Sequence, residues 1–277
     1  TIEEGIALYE HEWLHGISSS FELRGRHISS NRYVPMILPD GRSLHGINDA
    51  SIRIGLRLSK DETIVRMPFE VRHMGSKYPI FSFDFTGAKR GVLPASYDYL
   101  RLEGRMQYRL NLPPIGYSQL MLEGGKIFGK VPYLLLKLHE GNGTYFYDRY
   151  AFSCMNFYEF SSDAWISFFY EHHFNGFLLG RVPLLKKLNW REVFVFKGVY
   201  GTLSARNDGS LPNTKAVMLF PVGMSSVEHP YLETGFGIEN IFRLLRVDCI
   251  WRLTHHRAVP GLSIPTFTVN FSLNLKF

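Results

Sequence analysis

His11-Glu12-Trp13-Leu14-His15 spells HExxH. On a helix that spacing puts both imidazoles on one face for a zinc ion, and the intervening glutamate serves as general base of a metalloprotease. The residues that follow, Gly-Ile-Ser-Ser-Ser-Phe-Glu-Leu-Arg, are serine-rich and alternate, which is poor helix material. On a strand His11 and His15 still share a face, but Glu12 points away from both. The extended-motif position for a third ligand falls on Phe21, which cannot bind zinc. The run is read as strand, and no metal or cofactor is expected.

A second cluster, Glu171-His172-His173-Phe174-Asn175-Gly176, resembles the His-and-Asn chemistry of outer-membrane phospholipases. No suitably placed serine follows: Ser167 precedes the histidines and nothing nearby completes a triad. The cluster is read as a strand end at a membrane interface, as is Thr254-His255-His256-Arg257. No Walker loop or dinucleotide glycine pattern occurs. The expectation is that the chain is not an enzyme. The competing reading is a barrel-embedded hydrolase of lipid or peptide, using the histidines of 11–15 or His172 and His173.

The elements that must carry these residues have a period of two. At the end of the chain Phe267, Val269, Phe271, Leu273, Leu275 and Phe277 share one face, and Thr268, Asn270, Ser272, Asn274 and Lys276 the other. Eleven residues at ~3.3 Å span roughly 36 Å, and a ~40° tilt projects that to about 28 Å, close to the ~25 Å apolar belt of an outer-membrane barrel. Ala50, Ile52, Ile54, Leu56 and Leu58 oppose Ser51, Arg53, Gly55, Arg57 and Ser59. In 96–112, Leu100, Leu102, Met106, Tyr108, Leu110 and Leu112 oppose Tyr97, Tyr99, Arg101, Glu103, Arg105, Gln107, Arg109 and Asn111. Leu245, Val247, Cys249, Trp251 and Leu253 oppose Arg246, Asp248, Arg252 and Thr254, with Ile250 the exception. Noisier alternation covers 13–26, 78–86, 115–125, 146–160, 163–176, 189–204 and 230–238, for about eleven to thirteen strands in all.

The charges decide between a soluble sandwich and a membrane barrel. Arg53, Arg57, Arg101, Glu103, Arg105, Arg109, Arg246, Asp248 and Arg252 bring both signs to one face, which suits a polar lumen holding ion pairs or a plug. A sandwich would need a second sheet to cover Trp251, Phe271 and Leu273. The chain of 277 residues has 31 Lys+Arg against 25 Asp+Glu, but the basic residues are scattered, so no nucleic acid is expected. Cys154 and Cys249 form no metal or disulfide framework. No uninterrupted run of ~18 apolar residues exists for a transmembrane helix, which leaves barrels untouched.

The connections 27–46, 127–145 and 205–229 are long and rich in Gly, Pro and Asn, whereas 113–114, 161–162 and 239–240 read as short turns. Counting back from a periplasmic C-terminus makes 239–242 periplasmic but puts 113–114 and 161–162 outside, the reverse of the usual long-outside pattern. Either a strand lies near 214–222, or those turns are external. The stretch 177–188 breaks the period and reads as a short amphipathic turn of helix with Pro183 near its N-terminus. Leu184, Leu185 and Leu188 then face the acyl boundary and Lys186 and Lys187 the headgroup phosphates; an ordinary packed loop is the other reading.

The runs FYEFSSD (157–163), EHHFNGFLLGRVPLLKKLNWRE (171–192), PYLETGFGIENIFRLLRVDCIWRLT (230–254) and TVNFSLNLKF resemble the uncharacterised outer-membrane family of Bacteroides-type bacteria whose full-length members carry an N-terminal carboxypeptidase-regulatory-like domain. The resemblance implies a C-terminal membrane barrel distantly similar to BamA/TamA-type barrels. It also implies that residues 1–277 are the barrel domain, without the N-terminal domain and the first strands of a larger barrel. The expectation is thus an all-β, transmembrane antiparallel β-barrel of the Gram-negative outer membrane, a structural, transport or envelope-assembly subunit. Its partners are outer-membrane lipids, the barrel-insertion machinery that reads the terminal strand, and other outer-membrane or periplasmic subunits.

Overall fold

The computed structural model describes residues 1–14, 16–67, 70–211, 214–257 and 263–273. The strands, in chain order, are β1 (Ile2–Leu14), β2 (Ile17–Ser29), β3 (Gly46–Leu58), β4 (Glu62–Met67), β5 (Glu70–Ser76), β6 (Ile80–Ala88), β7 (Tyr99–Asn111), β8 (Tyr117–Gly129), β9 (Lys137–Leu138), β10 (Phe160–Ser162), β11 (Ala164–His173), β12 (Arg191–Thr202), β13 (Ser225–Ser226), β14 (Tyr231–Ile241), β15 (Leu245–Arg252) and β16 (Phe267–Leu273). Eleven of them form one sheet in the order β1-β2-β3-β6-β7-β8-β11-β12-β14-β15-β16. Every neighbouring pair is antiparallel. Each strand therefore pairs with the next sheet strand along the chain, in a meander without crossovers. Among the described residues β1 and β16 are not paired with each other, so the sheet is open where a closed barrel was expected.

Several strands run to thirteen residues, about twice the usual length in soluble sheets. Their alternation is what sustains them. In β3, Ile54 pairs in register with Phe21 of β2 and Phe85 of β6, so apolar side chains stand in a continuous row on one face. That face is open: Ile54 is 53% exposed, Phe236 60% and Leu273 58%. The opposite face, called inner here, carries Asp49, Glu123, Glu171, Lys197, Glu233 and Asp248, all buried. What buries them is the chain itself, because segment 130–163 and the stretch before β14 pack onto this face.

Two apolar clusters hold those segments. One joins Met36, Tyr99, Ile127, Tyr133, Trp165 and Met218. The other joins Met121, Phe152, Phe169, Val199, Val227 and Tyr231. A small sheet, β13-β10-β9, lies within them, and β4 and β5 form a separate hairpin.

Several expectations change. The strand read at 13–26 lies mostly in β2, which begins at Ile17, while Trp13 and Leu14 end a separate strand, β1. The segment 146–160 is not a strand of the sheet: its aromatic residues alternate because Phe152 and Phe160 pack inward while Phe157 is exposed. Removing that strand from the count resolves the order of the connections. Turns 112–116 and 241–245 now lie at the same end, together with the β4–β5 hairpin and the connection from β11 to β12, and the connections 30–45, 130–163 and 203–230 lie at the other. No strand of the sheet passes through 214–222, and 161–162 belongs to β10 rather than to a turn. Ile250 sits on the inner face of β15, fully buried between the charged residues.

The connection from β11 to β12 does break the period. It holds a 3-10 turn at Leu179–Arg181 and a one-turn helix α1 (Pro183–Lys186) with Pro183 in its first turn. Val182, Lys186, Lys187 and Leu188 are exposed and Leu185 half-buried.

Candidate functional site

The nine charges singled out by alternation lie on the inner side of their strands and fall into two groups. On the β2–β8 half Arg53, Arg101, Glu103 and Arg105 line an open cleft of about 220 Å³. There Arg53 Nε donates to Asp84 Oδ1 at 2.9 Å, Arg101 Nη2 to Glu103 Oε1 at 2.7 Å and Arg105 Nη2 to Glu123 Oε2 at 2.7 Å. Towards the end of the strands Arg57 forms a two-pronged pair with Glu62, 2.7 Å on each side, and the Arg109 guanidinium lies 4.1 Å from the centre of the Tyr117 ring.

On the β11–β16 half the same kind of charge clasps segment 130–163. Arg246 binds Asp248 at 2.8 Å and reaches Glu171 at 3.3 Å. Glu171 also accepts from the Tyr147 hydroxyl and from Arg149 Nε at 2.9 Å. The buried Lys197 donates to the carbonyl oxygens of Asp148 and Ala151, at 2.7 and 2.6 Å. Glu233 accepts the backbone N–H groups of Ser153 and Cys154, at 2.8 and 2.7 Å. Arg252 closes the row with Glu159 at 2.6 Å and the carbonyl of Cys154 at 3.1 Å. Buried charges are tolerable only when paired and fully hydrogen-bonded, and here the partners are the loop's own backbone and side chains. His173 sits between two carboxylates, Glu239 at 3.2 Å and Glu171 at 3.3 Å, under the stacked ring of Tyr117.

The same segment also covers an edge. Phe146 bridges Phe271 of β16 in parallel. Phe271 N–H donates to the carbonyl of Tyr145, and Tyr147 N–H to the carbonyl of Phe271, each at 2.7 Å. Asn270 Nδ2 adds a bond to the carbonyl of Thr144 at 3.1 Å. Of the terminal residues expected to form an insertion signal, Phe267, Val269, Phe271 and Leu273 lie in β16; Leu275 and Phe277 lie outside the described residues, as does His15.

His11 stands on the outward face of β1, stacked with Tyr9 and edge-on to Trp13, while Glu12 belongs to the inner side through its register partner Ser18. The two groups that a zinc protease must converge are thus split across the sheet. No group of metal ligands is found among the described residues.

The other histidine cluster behaves differently. His172 is buried on the outward side of β11 and meets a serine from another strand: Ser118 Oγ lies 2.8 Å from His172 Nδ1. His172 Nε2 lies 3.0 Å from the carbonyl oxygen of Ile115, and the Tyr170 hydroxyl 3.0 Å from Ser118 Oγ. The nearby-serine criterion missed this pair because Ser118 is 54 residues away in sequence.

The family model for the C-terminal domain of a family of unknown function, DUF5686, matches residues 12–205. The chain belongs to the DUF5686 family. Its family is thus the uncharacterised one that the sequence runs resemble. A DUF5686 domain so built is similar in fold to BamA: the crystal structure of BamA from Haemophilus ducreyi lacking POTRA domains 1–3 matches with a TM-score of 0.55 at 11% identity. The match covers 99% of this chain and 54% of that one, so the DUF5686 domain spans about half the length of that BamA chain. At this identity the likeness is one of fold. No curated protein matches the chain.

The partners of the nine charges were also within reach of alternation. Asp84 alternates with Phe83 and Phe85, and Glu171 falls on the inner side of β11 with Trp165 and Phe169. Lys197, Glu233 and Glu239 follow the same rule on β12 and β14.

Proposed function

We propose that this chain is an integral barrel segment of a Gram-negative outer membrane, with its interior partly filled by its own loops, serving as a structural or envelope-assembly subunit. The observation that carries the reading is the division of the sheet into two faces. One is a row of exposed Ile, Leu, Phe and Trp from β1 to β16; the other is charged and covered. Water does not favour such a wide apolar surface, whereas lipid accepts it. A bilayer also requires every sheet edge to be paired; segment 145–147 already takes the β16 edge at Phe271, so pairing of the edge of β1 and of the rest of the β16 edge is part of the proposal. The long connections at one end fit the external side and the turns 112–116 and 241–245 the periplasmic side. On that orientation Leu184, Leu185, Lys186, Lys187 and Leu188 lie at the periplasmic boundary of the bilayer, where a leucine-lysine turn anchors to lipid.

The test is gel migration of detergent-extracted outer-membrane fractions, boiled and unboiled. A faster unboiled band is expected; a soluble protein with no heat shift would overturn the reading. Deleting 267–277 should abolish insertion, because the insertion machinery is proposed to recognise the terminal strand.

A further inference from the structure

We propose that Ser118 and His172 are a nucleophile–base pair that attacks the acyl ester of a phospholipid at the periplasmic boundary of the membrane. The inference rests on the membrane reading above and adds a chemistry to it. Ser118 and His172 are register partners on β8 and β11. Their side chains stand on the outward, lipid-directed face, opposite Tyr117 and His173.

The hydrogen bonds fix the proton positions. The Ile115 carbonyl can only accept, so His172 Nε2, 3.0 Å away, carries the ring proton. Nδ1 is then the acceptor that faces Ser118 Oγ at 2.8 Å. A nucleophile on a base, with the base oriented by a third group, is the arrangement that activates a hydroxyl; here a backbone carbonyl orients the ring. Gly116 makes this possible. At φ +103 its backbone packs so closely on His173 that a Cβ would lie 1.8 Å from the His173 carbonyl oxygen.

Position supplies the substrate class. Ser118 is the second residue of β8 and His172 the second from last of β11, so the pair lies where the apolar band ends. Lys186 and Lys187 are exposed on the connection that leaves β11 at the same end. A phospholipid in that leaflet has its acyl chains along the band, its phosphate towards the lysines and its esters between. The Phe174 ring stands edge-on over His172 at 4.3 Å, and its rotation admits the ester.

In the reaction Ser118 Oγ bonds to the ester carbonyl carbon as its proton passes to His172 Nδ1. The tetrahedral intermediate expels the glycerol oxygen, which takes that proton. Water then attacks the acyl-serine with His172 again as base, releasing a fatty acid and regenerating Ser118.

The experiment treats the full chain, folded in mixed micelles of phosphatidylethanolamine and phosphatidylglycerol, with a long-chain alkylsulfonyl fluoride. The modified peptide is located by mass spectrometry, and fatty-acid release is followed in parallel without the probe. Modification of Ser118 is expected, with fatty-acid release lowered at least ~100-fold in Ser118→Ala and His172→Gln while both keep the heat shift. Phe174→Ala should label faster. Heat-shifted wild-type protein that is neither modified at Ser118 nor active overturns the pair and leaves the membrane reading standing. Loss of the heat shift in wild type overturns both.

Discussion

Arg246 Nη2 lies 3.3 Å from Glu171 Oε1, although β15 and β11 are separated in the sheet by β12 and β14. Three strand spacings amount to roughly 14 Å in a flat sheet. Side chains standing perpendicular to the sheet meet over that distance only if the sheet curls towards them. The pair therefore records curvature, and the clasp around segment 130–163 fills the hollow that the curvature makes.

Breaking the clasp should be costly. Glu171→Ala leaves Arg149 and Arg246 without a shared carboxylate in a buried setting, with an expected loss of about 3–5 kcal/mol. Urea unfolding in lipid vesicles measures it. In an Arg149→Ala background the loss should shrink; simple additivity would mean that the two groups do not act together.

The two faces predict opposite responses to the same new charge. Ile54→Arg, on the outward side of β3, should cost about 2–4 kcal/mol if the residue lies near the bilayer midplane. Gln107→Arg, on the inner side of β7, should stay within about 0.5 kcal/mol. Equal costs in vesicle unfolding would contradict the assignment of faces.

His139, in the connection between β8 and β11, has Nε2 2.9 Å from Ser162 Oγ. Burial, with Lys137 beside it, pushes its imidazole down to about 3. The unfolded chain takes up the proton near ~6.5, so between the two values the unfolded state binds more protons and stability rises with pH. His139 thus removes stability as pH falls through about 6.5 and towards 3. His139→Gln should lose less stability than wild type between pH 7.5 and pH 5, and parallel losses would remove His139 as the source.

Asn270 ties the edge of β16 to Thr144. Asn270→Ala should weaken that contact by about 1–3 kcal/mol. Faster hydrogen exchange is expected at the Phe271 and Tyr147 amides, which bond across the same edge. Unchanged exchange at both would show that the edge is held without the side chain.

Much of this was legible because a strand's period sorts side chains locally. Arg53 and Ile54, or Asp248 and Cys249, can be assigned to faces without knowing any neighbour. The splitting of His11 from Glu12 followed in the same way. Segment 146–160 was misread because a loop that packs its aromatic residues on one side also alternates, and nothing local distinguishes the two. The turn between β1 and β2 carried a signal that was passed over, Gly16 at φ +93. Ser118 and His172 were beyond local reading: their contact is a matter of register between β8 and β11, which no window containing only one of them encodes.

The clasp also orders events in folding. The sheet joins strands that follow one another, so it can grow hairpin by hairpin, each closure spanning only the connection between neighbours. Segment 130–163 cannot: its partners lie far downstream, with Ser153 bonded to Glu233 80 residues on, Glu159 to Arg252 93 on and Thr144 to Asn270 126 on. It must wait, exposed, until β14, β15 and β16 are in place, and its docking becomes the late, non-local step that locks the finished wall.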